Sequence, residues 1–398
     1  MPSLRESPEQ RTTGVGQRIG VILAVDAISA PLTGIGRYAV ELARRLPLHP
    51  GVDSLSLFAA FRWVPSIDEA LASNRLAAAA RQRLPFKGLA LRAAWTLRQA
   101  LFSRGARALR GRVLHAPNFI PFRHDGPVVT TVHDLSWIHN PEHHPPERVS
   151  FMDRMMPVAM QRADIVLTDS EFVRREVLAR WPRVPQHVLA VPLGVDARFA
   201  PRARADCREV LARHGIGDEP YLLSVATLEP RKNLGRLAQA YGALPASLRE
   251  RHPLVVVGAR GWNFGADARR IEPLLRSGQM RMLGYVDDAD LPPLYAAAHS
   301  FAFVSLYEGF GLPPLEAMAS GIPVLVSNRA ALPEIGADAA IGVDPEDVGA
   351  IREGLARLVV DEDWRSAAAR RGCARAAGYT WERCIDATVA AYQRALAA

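Results

Sequence analysis

Short apolar runs alternate with segments of helical period along most of the chain, the pattern of an α/β protein built on parallel sheets. In the first half the runs predict strands at Ile19–Asp26, Ser54–Ala60, Arg112–His115, Val128–His133, Ile165–Thr168 and His187–Val191. Helices are predicted at Gly36–Leu46, Val149–Arg162 and Glu171–Arg180. The string VPLGVDARFAPRARA (Val191–Ala205) then breaks the pattern with Pro192, Gly194 and Pro201, which is linker chemistry. A second series follows at Tyr221–Val225, Leu254–Gly258, Met280–Leu283, Ser300–Val304, Val324–Val326 and Ala339–Val343, with a last helix from Trp381 to Leu396. Two α/β domains with a cleft between them are expected, and ligands of such sheets sit beyond the carboxyl ends of the strands.

A chain of 398 residues suits two domains better than one core. The polar segment 1–17 holds two acids and no apolar run, and is expected to be a disordered tail. No window reaches the length of a membrane span. Cys207, Cys373 and Cys384 are odd in number and lack ligand spacing, which argues against a disulfide scaffold or a zinc site.

Charge is unevenly placed. Residues 1–200 carry 26 Lys+Arg against 17 Asp+Glu, whereas the remainder is nearly balanced. Leu71–His124 holds eleven basic residues and no acid. Such a surface attracts phosphates of nucleotide, nucleic acid or lipid, or its arginines are simply solvated. No aromatic-interleaved basic strand is present, so a nucleic-acid partner is not expected. Within this stretch Leu91, Ala94, Trp95, Leu101 and Phe102 share one helical face, interrupted by Arg98. That face either presses into an anionic headgroup layer or packs on the first domain's own sheet.

The densest chemistry follows the run SFAFVSL, in YEGFGLPPLEAMASGIPVLVS. Glu308 is placed on a strand-end loop and Glu316 in the first turn of the next helix. Gly309 and Gly311 free the backbone for close approach, and Pro313 and Pro314 suit a helix start. A helix end aimed at the cleft can hold a diphosphate, and a carboxylate suits paired hydroxyls. Arg231 and Lys232 follow another strand end, with Asn233 placed to cap the next helix. Lys232 is one of only two lysines beside 47 arginines, a hint of a site wanting a compact charge. Ser170 is placed as an N-cap, and Asp287–Asp290 is read as capping the following helix rather than as a metal-binding Asp-x-Asp. The string after the first strand, GIGRYA, matches only a loosened dinucleotide fingerprint, since the next strand ends without the acid that grips a ribose.

On these strings the chain resembles the retaining GT-B glycosyltransferases with a Glu-x7-Glu signature, glycosyltransferase family 4, from Ile19 to the C-terminal helix. The resemblance implies two Rossmann-like domains facing a cleft. Residues 18–195 would bind the acceptor, residues 196–379 the nucleotide-sugar, and the C-terminal helix 380–398 would pack back on the first domain. It also implies catalytic roles for His133, which would brace the donor sugar, and for Arg231, Lys232 and Glu308. Donor contacts would come from Gly34, Gly36, Arg37, Arg231, Lys232, Gly309, Phe310, Gly311, Leu312 and Glu316, the last on the ribose. No metal or other cofactor is implied. The strings GIGRY, GARGW and EGFGLPPLEAMASG look most like bacterial mannosyltransferases of lipopolysaccharide and exopolysaccharide assembly. The expected donor is GDP-mannose, with GDP-rhamnose, UDP-sugars and dTDP-rhamnose open, and an epimerase of the same fold as the rival. The acceptor would be a lipid-linked saccharide, met by a peripheral enzyme at the cytoplasmic face of the inner membrane.

Overall fold

The structure is a computed structural model describing residues 18–29, 32–82, 87–181, 187–259 and 265–398. The expected tail 1–17 and the latter part of the GARGWNF string, 260–264, lie outside the described residues.

The first domain is a seven-stranded sheet: β1 (Ile19–Ala24), β2 (Val52–Ala59), β3 (Arg62–Val64), β4 (Val113–Ala116), β5 (Val128–Val132), β6 (Ile165–Thr168) and β7 (Val188–Ala190). Its order is β3-β2-β1-β4-β5-β6-β7. All pairs are parallel except β2 with β3. The three-residue edge strand β3 is too short to leave a period, and the sequence pattern misses it. The second domain is a six-stranded sheet of β8 (Leu222–Val225), β9 (Leu254–Val257), β10 (Met280–Gly284), β11 (Ser300–Phe303), β12 (Val324–Ser327) and β13 (Ala340–Val343). It runs β10-β9-β8-β11-β12-β13, all parallel. Both sheets reverse their winding direction once, between β1 and β4 and between β8 and β11. At such a reversal the two neighbouring strands send their loops in opposite directions, which opens a crevice at their carboxyl ends.

The chain crosses between the domains twice, and the two crossings touch. Val195 donates its N–H to the Tyr379 carbonyl at 3.0 Å, and Val195 and Thr380 form a parallel bridge. A Cβ on Gly194 would stand 2.2 Å from the Trp381 nitrogen, so only glycine lets the strands pass. Beyond this crossing the helix Trp381–Ala397 lies against β4, β5 and β6 of the first sheet.

The helix Lys87–Ala106 settles the question of the aromatic stripe. Phe102 is fully buried and stacks on Phe122 at 4.7 Å, while Trp95 stacks on Phe122 at 5.2 Å. Both pack with Ile22, Phe58 and Leu114 on the sheet. Burying a ring of this size is worth about 1.5–3 kcal/mol, so the sheet claims this face first. Arg98, the polar break in the stripe, pairs with Asp26 and donates to the Ala60 carbonyl at 2.7 Å, tying the helix to the end of β2. Leu97 and Leu101, 53% and 37% exposed, point outward instead.

A buried polar chain fixes the C-terminal helix. The Tyr392 hydroxyl meets His115 Nδ1 at 2.7 Å, His115 Nε2 meets Thr131 Oγ1 at 2.8 Å, and Thr131 meets the Tyr38 hydroxyl at 3.1 Å. Burial pushes the His115 pKa down to about 3, so the ring is neutral and carries one proton into the chain. Tyr392→Phe strands His115 Nδ1 in an apolar setting. It should cost about 1–3 kcal/mol, read as a lower midpoint in urea unfolding, whereas an unchanged midpoint would show that the chain does not hold the helix.

Candidate active site

Strands β8 and β11 are neighbours at the winding reversal of the second sheet, and each sends a loop into the crevice. From β8 the chain reaches a 3-10 turn at Pro230–Lys232, and from β11 it enters Val304–Gly311. Glu308 joins the two loops. Its Oε1 accepts from Lys232 Nζ at 2.5 Å and from Ser305 Oγ at 2.6 Å, and its Oε2 accepts from Arg231 Nη1 at 3.0 Å. Burial alone would raise the Glu308 pKa, but the Arg231 and Lys232 charges outweigh it and hold the carboxyl below its ordinary value. Lys232 is shifted down by burial and by Arg231 beside it, and its ammonium sits 5.4 Å from the Phe303 ring centre. The buried Nε of Arg231 has no acceptor among the described residues. Asp134 and Glu229 act on the same guanidinium, and burial raises the Glu229 pKa.

The Asn233 side chain does not cap the following helix. Its backbone is left-handed (φ 58°), and its Nδ2 instead donates to the carbonyls of Val304 and Pro345 at 3.0 and 2.6 Å. It thus locks the β8 loop to the β11 loop. Glycine freedom is used at two positions here. Gly311 has φ +129°, and a Cβ on Gly309 would lie 1.7 Å from the His133 carbonyl oxygen across the cleft. The backbone N–H groups of Gly309, Phe310, Gly311 and Leu312 donate to none of the described residues. The Phe310 ring is buried edge-on to Tyr379, so only its backbone faces a ligand.

The helix Leu312–Ala319 begins after Gly311. Glu316 therefore falls in its second turn, not the first, because Leu312 rather than Pro313 takes the first helical position. Pro313 and Pro314 remove two of the amides a helix end normally offers. An anion would meet the loop amides 309–312 more than the helix itself. Glu316 Oε1 accepts from Arg37 Nη1 at 2.6 Å, and Arg37 Nη2 donates to Asp288 Oδ1 at 2.9 Å. Burial raises the Glu316 pKa in spite of Arg37, and the Tyr295 hydroxyl lies against it. The acids after β10 are not a helix cap. Asp288 holds Arg37, while Asp290 makes no cap bond and pairs with Arg213 at 2.7 Å and His214 at 2.8 Å.

On the facing domain the helix Gly34–Arg45 starts at a Thr33 cap, whose Oγ1 accepts from Gly36 N at 3.2 Å. Gly34 stands in open space at this end. Gly36 does not: its missing Cβ makes room for the Ala27 carbonyl, a packing need within the domain. His133 also turns inward. Its Nε2 donates to the Pro117 carbonyl and its Nδ1 shares a proton with Asp169 Oδ2, both at 2.7 Å. Burial opposes a charged ring, but Asp169 outweighs it and raises the His133 pKa. In this arrangement the ring braces its own loop, and neither nitrogen is left for a ligand. Ser170 caps its helix as expected, accepting from Val173 N at 3.2 Å, and also donates to the Gly309 carbonyl at 2.7 Å across the cleft.

The structure thus gathers Arg231, Lys232 and Glu308 in one cluster and Arg37 with Glu316 in another. The sequence pattern does not single out Asp169, Ser305, Tyr307 and Glu176. Ser305 reaches Glu308 from three residues earlier in the same loop and Asp169 reaches His133 within the first domain, whereas Tyr307 and Glu176 meet only because one domain packs on the other.

Sequence profiles of two families match the two halves of the chain: "Glycosyltransferase Family 4" over residues 32–199 and "Glycosyl transferases group 1" over residues 208–375. O-antigen chain mannosyltransferase B of Escherichia coli is 38% identical over 387 residues, spanning 94% of this chain and 99% of its own. Among solved structures, sucrose-phosphate synthase from Thermosynechococcus elongatus superposes with a TM-score of 0.71 at 20% identity, over 96% of this chain and 100% of the other. Anabaena HepE in complex with UDP and glucose superposes at 0.69 and 16% identity, over 93% and 98%.

The Gly309–His133 contact makes a direct prediction. Gly309→Ala forces backbone against side chain and should cost about 1–3 kcal/mol of domain contact. Amide exchange in segments 133–136 and 170–176 should then speed up roughly 5–150-fold, with the strand cores unchanged. Unchanged exchange in both segments would show that the loop relaxes without parting the domains.

Proposed function

The chain belongs to glycosyltransferase family 4, and on that premise we propose that it moves mannose from GDP-mannose onto a lipid-linked saccharide with retention of configuration. The observation that carries this reading is the Arg231–Lys232–Glu308 cluster at the winding reversal, beside the unpaired amides of 309–312. Two cations and a row of N–H groups suit a nucleoside diphosphate as leaving group, since fixed donors stabilise charge that develops there at no cost of reorganisation. Glu308, kept ionised, accepts hydrogen bonds from sugar hydroxyls, and Glu316 takes the ribose once Arg37 yields or shares it. The mannosyl preference rests on the 38% identity to the E. coli O-antigen enzyme. GDP-rhamnose, UDP-sugars and dTDP-rhamnose are the alternatives to test, along with acceptor-free epimerisation.

Retention fits the carboxylates on hand. Asp134 is held by the Ser136 N–H and hydroxyl, Glu308 by three donors, and Glu316 and Asp288 by Arg37. Carboxylates so engaged are poor nucleophiles, so attack on the donor's own leaving-group face, with its phosphate taking the acceptor proton, is the mechanism we infer. The same engagement of Asp288 and Asp290 supports a metal-free reaction.

None of the described helices is long and apolar enough to cross a membrane. For peripheral contact at the cytoplasmic face of the inner membrane, the outward face of Lys87–Ala106 replaces the aromatic stripe. Leu97 and Leu101 are exposed there, and exposed Arg104, Arg107 and Arg110 follow. Each such arginine adds about 1 kcal/mol near an anionic surface.

Three measurements test this reading. Lys232→Ala should lower kcat by about 10²–10³ in a variant with a native circular dichroism spectrum, and near-normal turnover would remove the diphosphate role. Transfer from GDP-mannose should persist in excess EDTA; loss reversed by manganese or magnesium would make the reaction metal-dependent. In liposome flotation the protein should rise only with anionic vesicles at low salt. Indifference to lipid charge would sink the membrane assignment.

A further inference from the structure

Tyr307 belongs to the second domain's β11 loop, yet its side chain is spent on the first. It is 6% exposed, with its ring stacked on His139 at 5.4 Å and edge-on to Phe172 at 5.9 Å. Its hydroxyl accepts from the Leu135 N–H at 3.1 Å and donates to Glu176, whose other oxygen pairs with His139 Nε2 at 2.7 Å. Its carbonyl accepts from Arg231 Nη1 at 2.7 Å. One residue therefore grips the His133–Ser136 loop at its tip and the Arg231 guanidinium at its backbone. A phenylalanine would fill the same space, so packing does not account for the hydroxyl. A buried hydroxyl is costly unless bonded, and this one is bonded on both sides.

We propose that Tyr307 is a positioning residue that fixes the spacing between the first-domain lip at His133–Ser136 and the donor-side cluster of Arg231 and Glu308. Glu176 and His139 hold it in register. The proposal rests on the glycosyl-transfer reading above and adds to it the residue that aligns the two halves of the reaction. Alignment matters more to turnover than to donor binding, because misplacing reacting groups by about 1 Å can cost about 10²-fold in rate. The nucleotide, by contrast, is held within the second domain.

The test compares the full-length wild type with Tyr307→Phe, Glu176→Gln and Glu176→Ala. Three readouts are needed: transfer kinetics with GDP-mannose, calorimetry with GDP, and small-angle scattering with GDP bound. Tyr307→Phe should lower kcat by about 10–100-fold and leave the GDP dissociation constant within about twofold, while the radius of gyration grows. Glu176→Gln still accepts the tyrosine proton and should stay near wild type, whereas Glu176→Ala should match Tyr307→Phe. Combining Tyr307→Phe with Glu176→Ala should add little, as for two members of one linkage. Wild-type kcat together with wild-type dimensions in Tyr307→Phe would overturn the proposal. So would a loss confined to GDP affinity. If the wild type transfers no mannose, the donor reading fails by itself. Scattering of the wild type and Tyr307→Phe, with UDP replacing GDP if GDP does not bind, still decides whether the hydroxyl sets the spacing.

Discussion

Glu308 is a buried carboxylate between two half-buried cations, and the cleft is built around that arrangement. Removing one partner of a buried ion pair costs about 3–5 kcal/mol because it leaves the other charge uncompensated. Here two cations would face each other with nothing between them. The β11 loop is therefore tied to the end of β8, and its neighbours are carried with it. Tyr307 and Gly309 flank the pinned residue on either side and make the contacts to the first domain. A charge requirement within one domain thus sets which atoms of that domain meet the other.

The contacts across the cleft are of two kinds. Around Gly309 and Tyr307 they are close and uncharged at the point of contact: a glycine against the His133 carbonyl, a ring between His139 and Phe172, and Ser170 on the Gly309 carbonyl. Around Glu316 they are ionic, with Arg37 reaching from the first domain to two acids of the second. A ligand that needs Glu316 competes with Arg37, whereas a ligand at Arg231 and Lys232 meets charges already offset by Glu308. The first kind of contact thus joins the domains beside Arg231 and Glu308, and the second engages the Glu316 carboxylate.

The C-terminal helix gives the first domain a stake in the second domain's chain. It returns through the Val195–Thr380 bridge and seats Tyr392 on His115, from which hydrogen bonds run through Thr131 to Tyr38. Tyr38 follows Arg37, and its ring lies 5.3 Å from that of His133. The helix that presents Arg37 to the cleft is thereby anchored to the far end of the polypeptide.

Much of this was legible in the residues themselves. Strands buried on both faces must be continuous apolar runs, so all but the three-residue β3 left a trace, and loops after such strands drew attention to Arg231, Lys232 and Glu308. Glycine and proline, whose backbone limits are local, marked the loop Glu308–Pro314 and the linker at Gly194. Polar side chains were different. An aspartate before a helix looks like a cap whether it caps, as Asp288 and Asp290 do not, or pairs with an arginine 251 positions away in the chain, as Asp288 does with Arg37. A histidine at a strand end looks available until Asp169 and the Pro117 carbonyl take both its nitrogens. Trp95 and Phe102 carry the same apolar stripe whether lipid or a sheet covers it. Backbone conformation and burial are decided within a few residues, so sequence speaks for them; the partner of a charge or hydroxyl is whatever group folding brings within about 3 Å, and only the tertiary structure chooses it.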